Sequence, residues 1–150
     1  MSGRIFTDTN VLVYAYDRSE PAKQEQALAV MDRLATRQAG VVSVQVLAEL
    51  YVTLTRKLVA PLDPGEAAIR VSNYLRSWAV LDLTGMIVLE AVRGAQDHQT
   101  SYWDAQIWAT AKLNQIPLVF SEDFSDGQVV EGVQFVNPFA PGFHVEDWLG

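Results

Sequence analysis

Asp8, Glu49, Asp104 and Asp123 are the residues of this chain best placed to do chemistry. Asp8 closes the short β-rich run Arg4-Ile5-Phe6-Thr7-Asp8, and Thr9-Asn10 follows it. Asp123, with Ser121, Glu122 and Asp126, comes just after the apolar run that ends at Phe120. Glu49 sits inside Val46-Leu47-Ala48-Glu49-Leu50-Tyr51, and Asp104 stands in the first turn of a segment opened by Ser101. In α/β folds ligands bind beyond the carboxyl ends of the strands, at the switch in strand order. Carboxylates crowded there repel one another until one takes up a proton or a cation joins them. A hard divalent ion such as Mg²⁺ or Mn²⁺ suits an all-oxygen set. Metal held by carboxylates can activate water and neutralise a phosphodiester under attack.

Each acid also has a local explanation. Asp8 could cap the helix that follows it, and Ser101-x-x-Asp104 has the form of a capping pair. Glu49 shares a helical stripe with Gln45, Thr53 and Arg56, as a solvated acid would. Asp123 and Asp126 lie in a turn, where aspartate is favoured for its own backbone hydrogen bonds. His98 and His144 fall in polar or tail segments and read as surface residues, which leaves little room for histidine chemistry.

The elements that must position these acids alternate along the chain. Strands are expected at Arg4–Asp8, Gly40–Ser43, Ala79–Leu83, Ile116–Phe120 and Val133–Val136. Helices are expected from Asn10 to Tyr16, from the Ser19-Glu20-Pro21 start to Gln38 and from Val44 to Leu58. Asp63-Pro64-Gly65-Glu66 has the makings of a capping box and opens a helix through Trp78. Further helices run from Thr84 to about Gln96 and from Ser101 to near Asn114. Strands spaced by helices predict an α/β fold, a single domain with a mostly parallel central sheet of about five strands and helices on both faces. The folded unit is expected over 1–137, with 138–150 as a C-terminal appendage of the same domain containing Pro and Gly.

Composition agrees with one globular domain: 150 residues, 49% hydrophobic, 19% charged. No cysteine is present, which excludes disulfides, thiolate metal sites and cysteine nucleophiles. No apolar run long enough for a signal peptide or a membrane helix occurs, so a cytoplasmic protein without membrane contact is expected. A net charge of −7 argues against binding nucleic acid through a generally basic surface.

Taken together, Asp8-Thr9-Asn10-Val11-Leu12, Ser43-Val44-Gln45-Val46-Leu47-Ala48-Glu49, Tyr102-Trp103-Asp104-Ala105-Gln106-Ile107 and Ser121-Glu122-Asp123 resemble the PIN-domain family in order, spacing and element. The likeness covers the chain to about Asn137, and a stand-alone domain of this size looks most like the VapC-type toxins of toxin–antitoxin pairs. That resemblance implies an endoribonuclease dependent on Mg²⁺ or Mn²⁺. Asp8, Glu49, Asp104 and Asp123 would be its catalytic acids, and Asp8, Asp104 and Asp123 its metal ligands. Asn10 and Ser121 would be supporting polar groups, with Asp126 an additional acid nearby. It implies hydrolysis of RNA to a 5′-phosphate and a 3′-hydroxyl, a small cognate antitoxin, and a homodimer.

The basic residues are unevenly spread, with nine between Arg4 and Arg76 and none after Lys112. Arg56, Lys57, Arg70 and Arg76 are the candidates for RNA backbone contact, against ordinary helix solvation. Trp103 and Trp108 read as core aromatics rather than stacking platforms. A dehalogenase-type phosphatase or a response-regulator receiver also begins with an aspartate after its first strand. The phosphatase needs a second acid where Asn10 stands, and both need a late lysine that is missing. Two readings on the same fold remain: an RNA-processing nuclease outside a toxin system, and an inactive scaffold that binds RNA or protein.

Overall fold

Short runs of β-branched and aromatic residues form the strands of the computed structural model, which describes residues 3–149. In chain order the elements are β1 (Ile5–Thr7), α1 (Thr9–Tyr14), α2 (Pro21–Thr36), β2 (Gly40–Ser43), α3 (Val44–Arg56), α4 (Pro64–Ser77) and β3 (Ala79–Leu81). Then follow α5 (Gly85–His98), α6 (Tyr102–Leu113), β4 (Leu118–Phe120), β5 (Val129–Val130) and β6 (Val133–Val136), with a 3₁₀ turn at Val145–Trp148. The sheet order is β3-β2-β1-β4-β6-β5, parallel throughout except for β5 against β6. Adjacent strand residues point to opposite faces. Because Val41 and Val42 are both fully buried, helices must cover the sheet on both sides.

The five expected strands are all present, and a sixth joins the sheet at its edge. The extra strand, β5, is too short to show a period. Glu131 and Gly132, both at positive φ (47° and 87°), turn it tightly back onto β6. Such a two-residue turn matches the right-handed twist of a hairpin.

Helix starts follow local chemistry. Ser43, Thr84 and Ser101 accept from the backbone N–H three residues on, capping α3, α5 and α6. Asp63 caps α4 through Gly65 N–H, but Glu66 does not close a capping box; it faces Arg70 at 3.5 Å. The helices α5 and α6 pack face to face, and Gly94 is where they meet. The Trp108 ring lies against that glycine so closely that a Cβ would overlap it.

The chain beyond β6 returns to the body of the fold. Phe143 meets Phe120 edge-on at 5.4 Å, Leu149 is buried, and Arg37 donates to the Leu149 carbonyl at 2.9 Å. Among the described residues, no helix is long and apolar enough to cross a membrane.

Candidate active site

The strand order turns at β1 and β4, which pair in parallel with Thr7 opposite Phe120. One residue beyond, Asp8 N–H donates to the Phe120 carbonyl at 2.9 Å, so the two strand ends leave the sheet side by side. Asp8 leaves β1 in extended backbone and caps α1, one carboxylate oxygen accepting from Thr9 N–H at 2.7 Å. Its other oxygen accepts from the Ser121 hydroxyl at 2.7 Å and, more distantly, from Asn10 Nδ2 at 3.5 Å. The Ser121 oxygen in turn accepts from Asn10 Nδ2 at 3.3 Å and from Asp123 N–H at 3.1 Å. Asn10 Oδ1 accepts from Glu122 N–H at 3.1 Å. Asn10 and Ser121 therefore tie the loop after β4 to the loop after β1.

This placement makes Asp8 reluctant to ionise. Burial pushes its carboxyl up to about 7, and the nearby charges of Asp123 and Glu49 push the same way. The Ser121 and Thr9 hydrogen bonds oppose the rise without cancelling it. Asp104 is also raised, first by partial burial and then by Asp123 and Glu49, against a lowering contact from Ser101. Ser101 caps α6 through Asp104 N–H, as the local reading expects, yet the carboxyl of Asp104 still feels the other acids. All four acids thus share one field, delivered by the ends of β1 and β4, the middle of α3 and the first turn of α6.

Glu49 is not a freely solvated acid. One of its oxygens accepts from the Thr9 hydroxyl at 2.7 Å and the other from Gln45 Nε2 at 3.4 Å. Gln45 Oε1 accepts from Gln106 Nε2 at 2.8 Å, and Gln106 Oε1 from the Tyr102 hydroxyl at 2.7 Å. A chain of amides thus links α3 to α6 behind the acids. Glu49 and Asp123 line a groove of about 610 Å³, together with Asn10, Val13, Asp17, Val52 and Lys57 among others, whereas Asp8 and Asp104 lie outside its lining. Among the described residues, no three His, Asp or Glu side chains stand close enough to enclose an ion by themselves.

The remaining candidates part company here. Asp126 accepts from Asn137 N–H at 2.8 Å, so its carboxylate closes the loop onto the end of β6. Lys57 lines the groove, whereas Arg56, Arg70 and Arg76 do not. Arg70 faces Glu66 and sits over the Tyr16 ring. Trp108 is core, as the sequence suggests, but Trp103 is not: it is 62% exposed. Glu122 is a participant that its position in a turn does not reveal. It takes the Tyr14 hydroxyl at 2.7 Å and Lys23 at 2.5 Å, so its charge is matched by a lysine far away in the chain. Thr7-Asp8-Thr9 could have hinted at the Thr9 hydroxyl; nothing local marks Lys23.

The PIN domain family matches residues 5–125, a span that contains all four acids. No curated protein matches the chain. Among solved structures, the fold resembles a toxin–antitoxin complex from Klebsiella pneumoniae (TM-score 0.66, 18% identity, 90% of this chain and 98% of that one). It also resembles VapC20 of Mycobacterium tuberculosis, a Sarcin-Ricin loop cleaving toxin (0.62, 24%, 87% and 98%). A third likeness is to VapBC2 from Rickettsia felis, bound to a DNA fragment from its promoter (0.64, 14%, 89% and 97%). At these identities the likeness is one of fold.

Proposed function

This chain belongs to the PIN-domain family, and from that premise we propose that it is a metal-dependent endoribonuclease acting as the toxin of a toxin–antitoxin system. The observation that carries the reading is the shared field of Asp8, Glu49, Asp104 and Asp123 at the switch point of the sheet. The donor set fits a hard divalent ion. It offers only oxygens, and its buried member is held back from ionising by burial and by its neighbours, a penalty that a cation relieves. Mg²⁺ keeps several of its waters and needs only one or two direct carboxylates, so acids that stand apart are compatible with it.

Asp8, Asp104 and Asp123 would hold Mg²⁺ or Mn²⁺, in part through the ion's own waters, and the ion when bound supplies charge neutralisation at the phosphate and lowers the pKa of water. Glu49, aimed by Thr9 and Gln45, orients the attacking water. Asn10 and Ser121 fix the Asp8 carboxyl by hydrogen bonds to one of its oxygens. The water oxygen joins phosphorus while the bond to the 3′ oxygen breaks in line with it. The products are a 5′-phosphate and a 3′-hydroxyl that receives the proton. No side chain needs to become covalently bound.

The partners follow from the same site. A small antitoxin could silence it with an arginine, whose planar fork pairs with two carboxylate oxygens and substitutes for the cation. A homodimer is supported by the partly exposed apolar residues Val44, Tyr51 and Leu75 along α3 and α4.

Cleavage assays with the purified chain test the reading. RNA hydrolysis is expected with Mg²⁺ or Mn²⁺, to stop on chelation, and to be lost in Asp8→Asn and Asp104→Asn proteins that still fold. Expression should arrest growth, and the Asp8→Asn chain should not. Cleavage that persists in excess chelator would end the metal reading. Arrest by the Asp8→Asn chain would remove the acid site as its cause.

A further inference from the structure

Resting on the nuclease reading, we propose that a single RNA strand runs along α3, with one base stacked on Trp103 at one side of the acids and a phosphate further along the strand held by Lys57 at the other. The argument begins with α3 itself. Gln45, Glu49, Thr53 and Lys57 recur every fourth residue, so they form a stripe that winds about a third of the way round the helix as it runs to the C-cap. From Gln45 to Lys57 that stripe is about 18 Å long at 1.5 Å per residue, enough for several nucleotides of an extended strand. Glu49, the member that belongs to the acid site, lies between the two ends.

At the first end, Gln45 Nε2 reaches both Glu49 and the backbone carbonyl of Trp103, each at 3.4 Å. Trp103 thus stands at the rim of the acid site, one residue before Asp104. The residue is 62% exposed, and its ring makes an edge contact with that of Tyr102 at 5.1 Å. Every base has a face to stack, so an exposed indole binds single strands without regard to sequence. Trp108, one turn and a half further along α6, is buried, which makes the exposure of Trp103 a property of its position.

At the other end, Lys57 lines the groove and has no ion-pair partner among the described residues. The contrast with Lys23 and Lys112 is sharp, because both are engaged by glutamates. Besides Glu49, Lys57 and Asp123, the groove is lined by the apolar Val13, Val52 and Leu58 and by the polar Asn10, Asp17 and Thr53. Apolar lining residues suit a base, a free ammonium suits a phosphate, and 610 Å³ falls in the usual range of ligand pockets. In a chain of net charge −7, one free cation beside the acids matters more than the distant arginines.

The two contacts leave different signatures. The probe is a short single-stranded RNA, with equilibrium binding read by anisotropy on the cleavage-dead Asp8→Asn protein over a salt series. Steady-state cleavage by the otherwise intact protein gives KM and kcat. Lys57→Ala should weaken binding and flatten the log–log salt slope by about 0.7, the value of one single-strand phosphate contact, while Lys57→Arg restores both. Trp103→Ala should raise KM about tenfold with the salt slope unchanged, and Trp103→Phe should recover most of the loss. Arg76→Ala should resemble the parent in both assays.

Binding that shows these dependences without any cleavage supports the strand path and overturns hydrolysis instead. Binding untouched by Lys57→Ala and Trp103→Ala overturns the path, whatever the cleavage. A Trp103→Ala protein that loses dimerisation but keeps its KM transfers that face to protein contact and overturns it as well.

Discussion

Asp8 is asked to be two things at once, the cap of α1 and the buried member of an acid cluster. As a cap it needs only an oxygen acceptor, which asparagine also provides. As a buried acid it favours the neutral form, and its folded value of about 7 lies well above the ordinary 3.8. The sign follows from that rise. The stability that comes with the neutral carboxyl is fully present below about pH 4 and is lost as pH climbs through about 7. In chelator, the parent protein should therefore lose melting temperature between pH 5 and pH 8 more steeply than Asp8→Asn. The variant should melt higher at pH 8, and divalent metal should raise only the parent. Thermal denaturation of both proteins across that range checks this, and parallel profiles would show that Asp8 is ionised without cost.

At the scale of elements, α6 sets the position of Asp104, and α6 is seated by its contact with α5. Gly94 and Trp108 make that seat. Alanine at 94 would gain about 1 kcal/mol of helix propensity. It would also force the indole away from α5, and overpacking of this kind costs about 1–3 kcal/mol. The overlap with a rigid ring on a packed helix makes the second effect the larger. Gly94→Ala is expected to lower the melting temperature by up to about 8 °C, since the net cost reaches about 2 kcal/mol and each kcal/mol moves a domain of this size by about 2–4 °C. It should also reduce cleavage by tilting Asp104, and a variant as stable as the parent would mean that α5 slides to accommodate the methyl.

Across the whole molecule, a charge network ties the β5–β6 turn to the α5–α6 pair. Glu131 in the turn meets Arg93, His98 and Lys112, while Glu90 on α5 meets Arg93 and Lys112. Hydrogen bonds from these side chains hold Glu90 and Glu131 down at about 2: Arg93 first for Glu90, His98 first for Glu131. Groups lowered in this way stabilise the fold above about pH 4.5 and lose that contribution as pH falls toward 2. Acid should therefore loosen the α5–α6 pair and the hairpin together. Glu131→Gln should lower the melting temperature at pH 6 and flatten its decline between pH 5 and pH 2. Both effects should shrink in high salt, because the network is partly exposed. An unchanged acid limb in this variant would leave Glu90 as its source.

What the chain decides locally could be read from it directly. Caps such as Ser43, Thr84 and Ser101 act on the third residue along, and apolar spacing reports the face that a helix buries. Alternation of strand and helix then places Asp8 and Asp123 beyond strand ends, where a ligand site belongs. The parts that only tertiary structure decided involve partners far apart in the chain. Ser121 reaches Asp8 across 113 positions, Thr9 reaches Glu49 across 40, and Lys23 reaches Glu122 across 99. No local pattern separates Asp126, which bonds Asn137, from Asp123, which joins the cluster. Nor does helical spacing show that Trp103 faces water while Trp108 fills the core. Periodicity reports only that a face is apolar; which neighbour covers it is settled by the packing of α5 against α6.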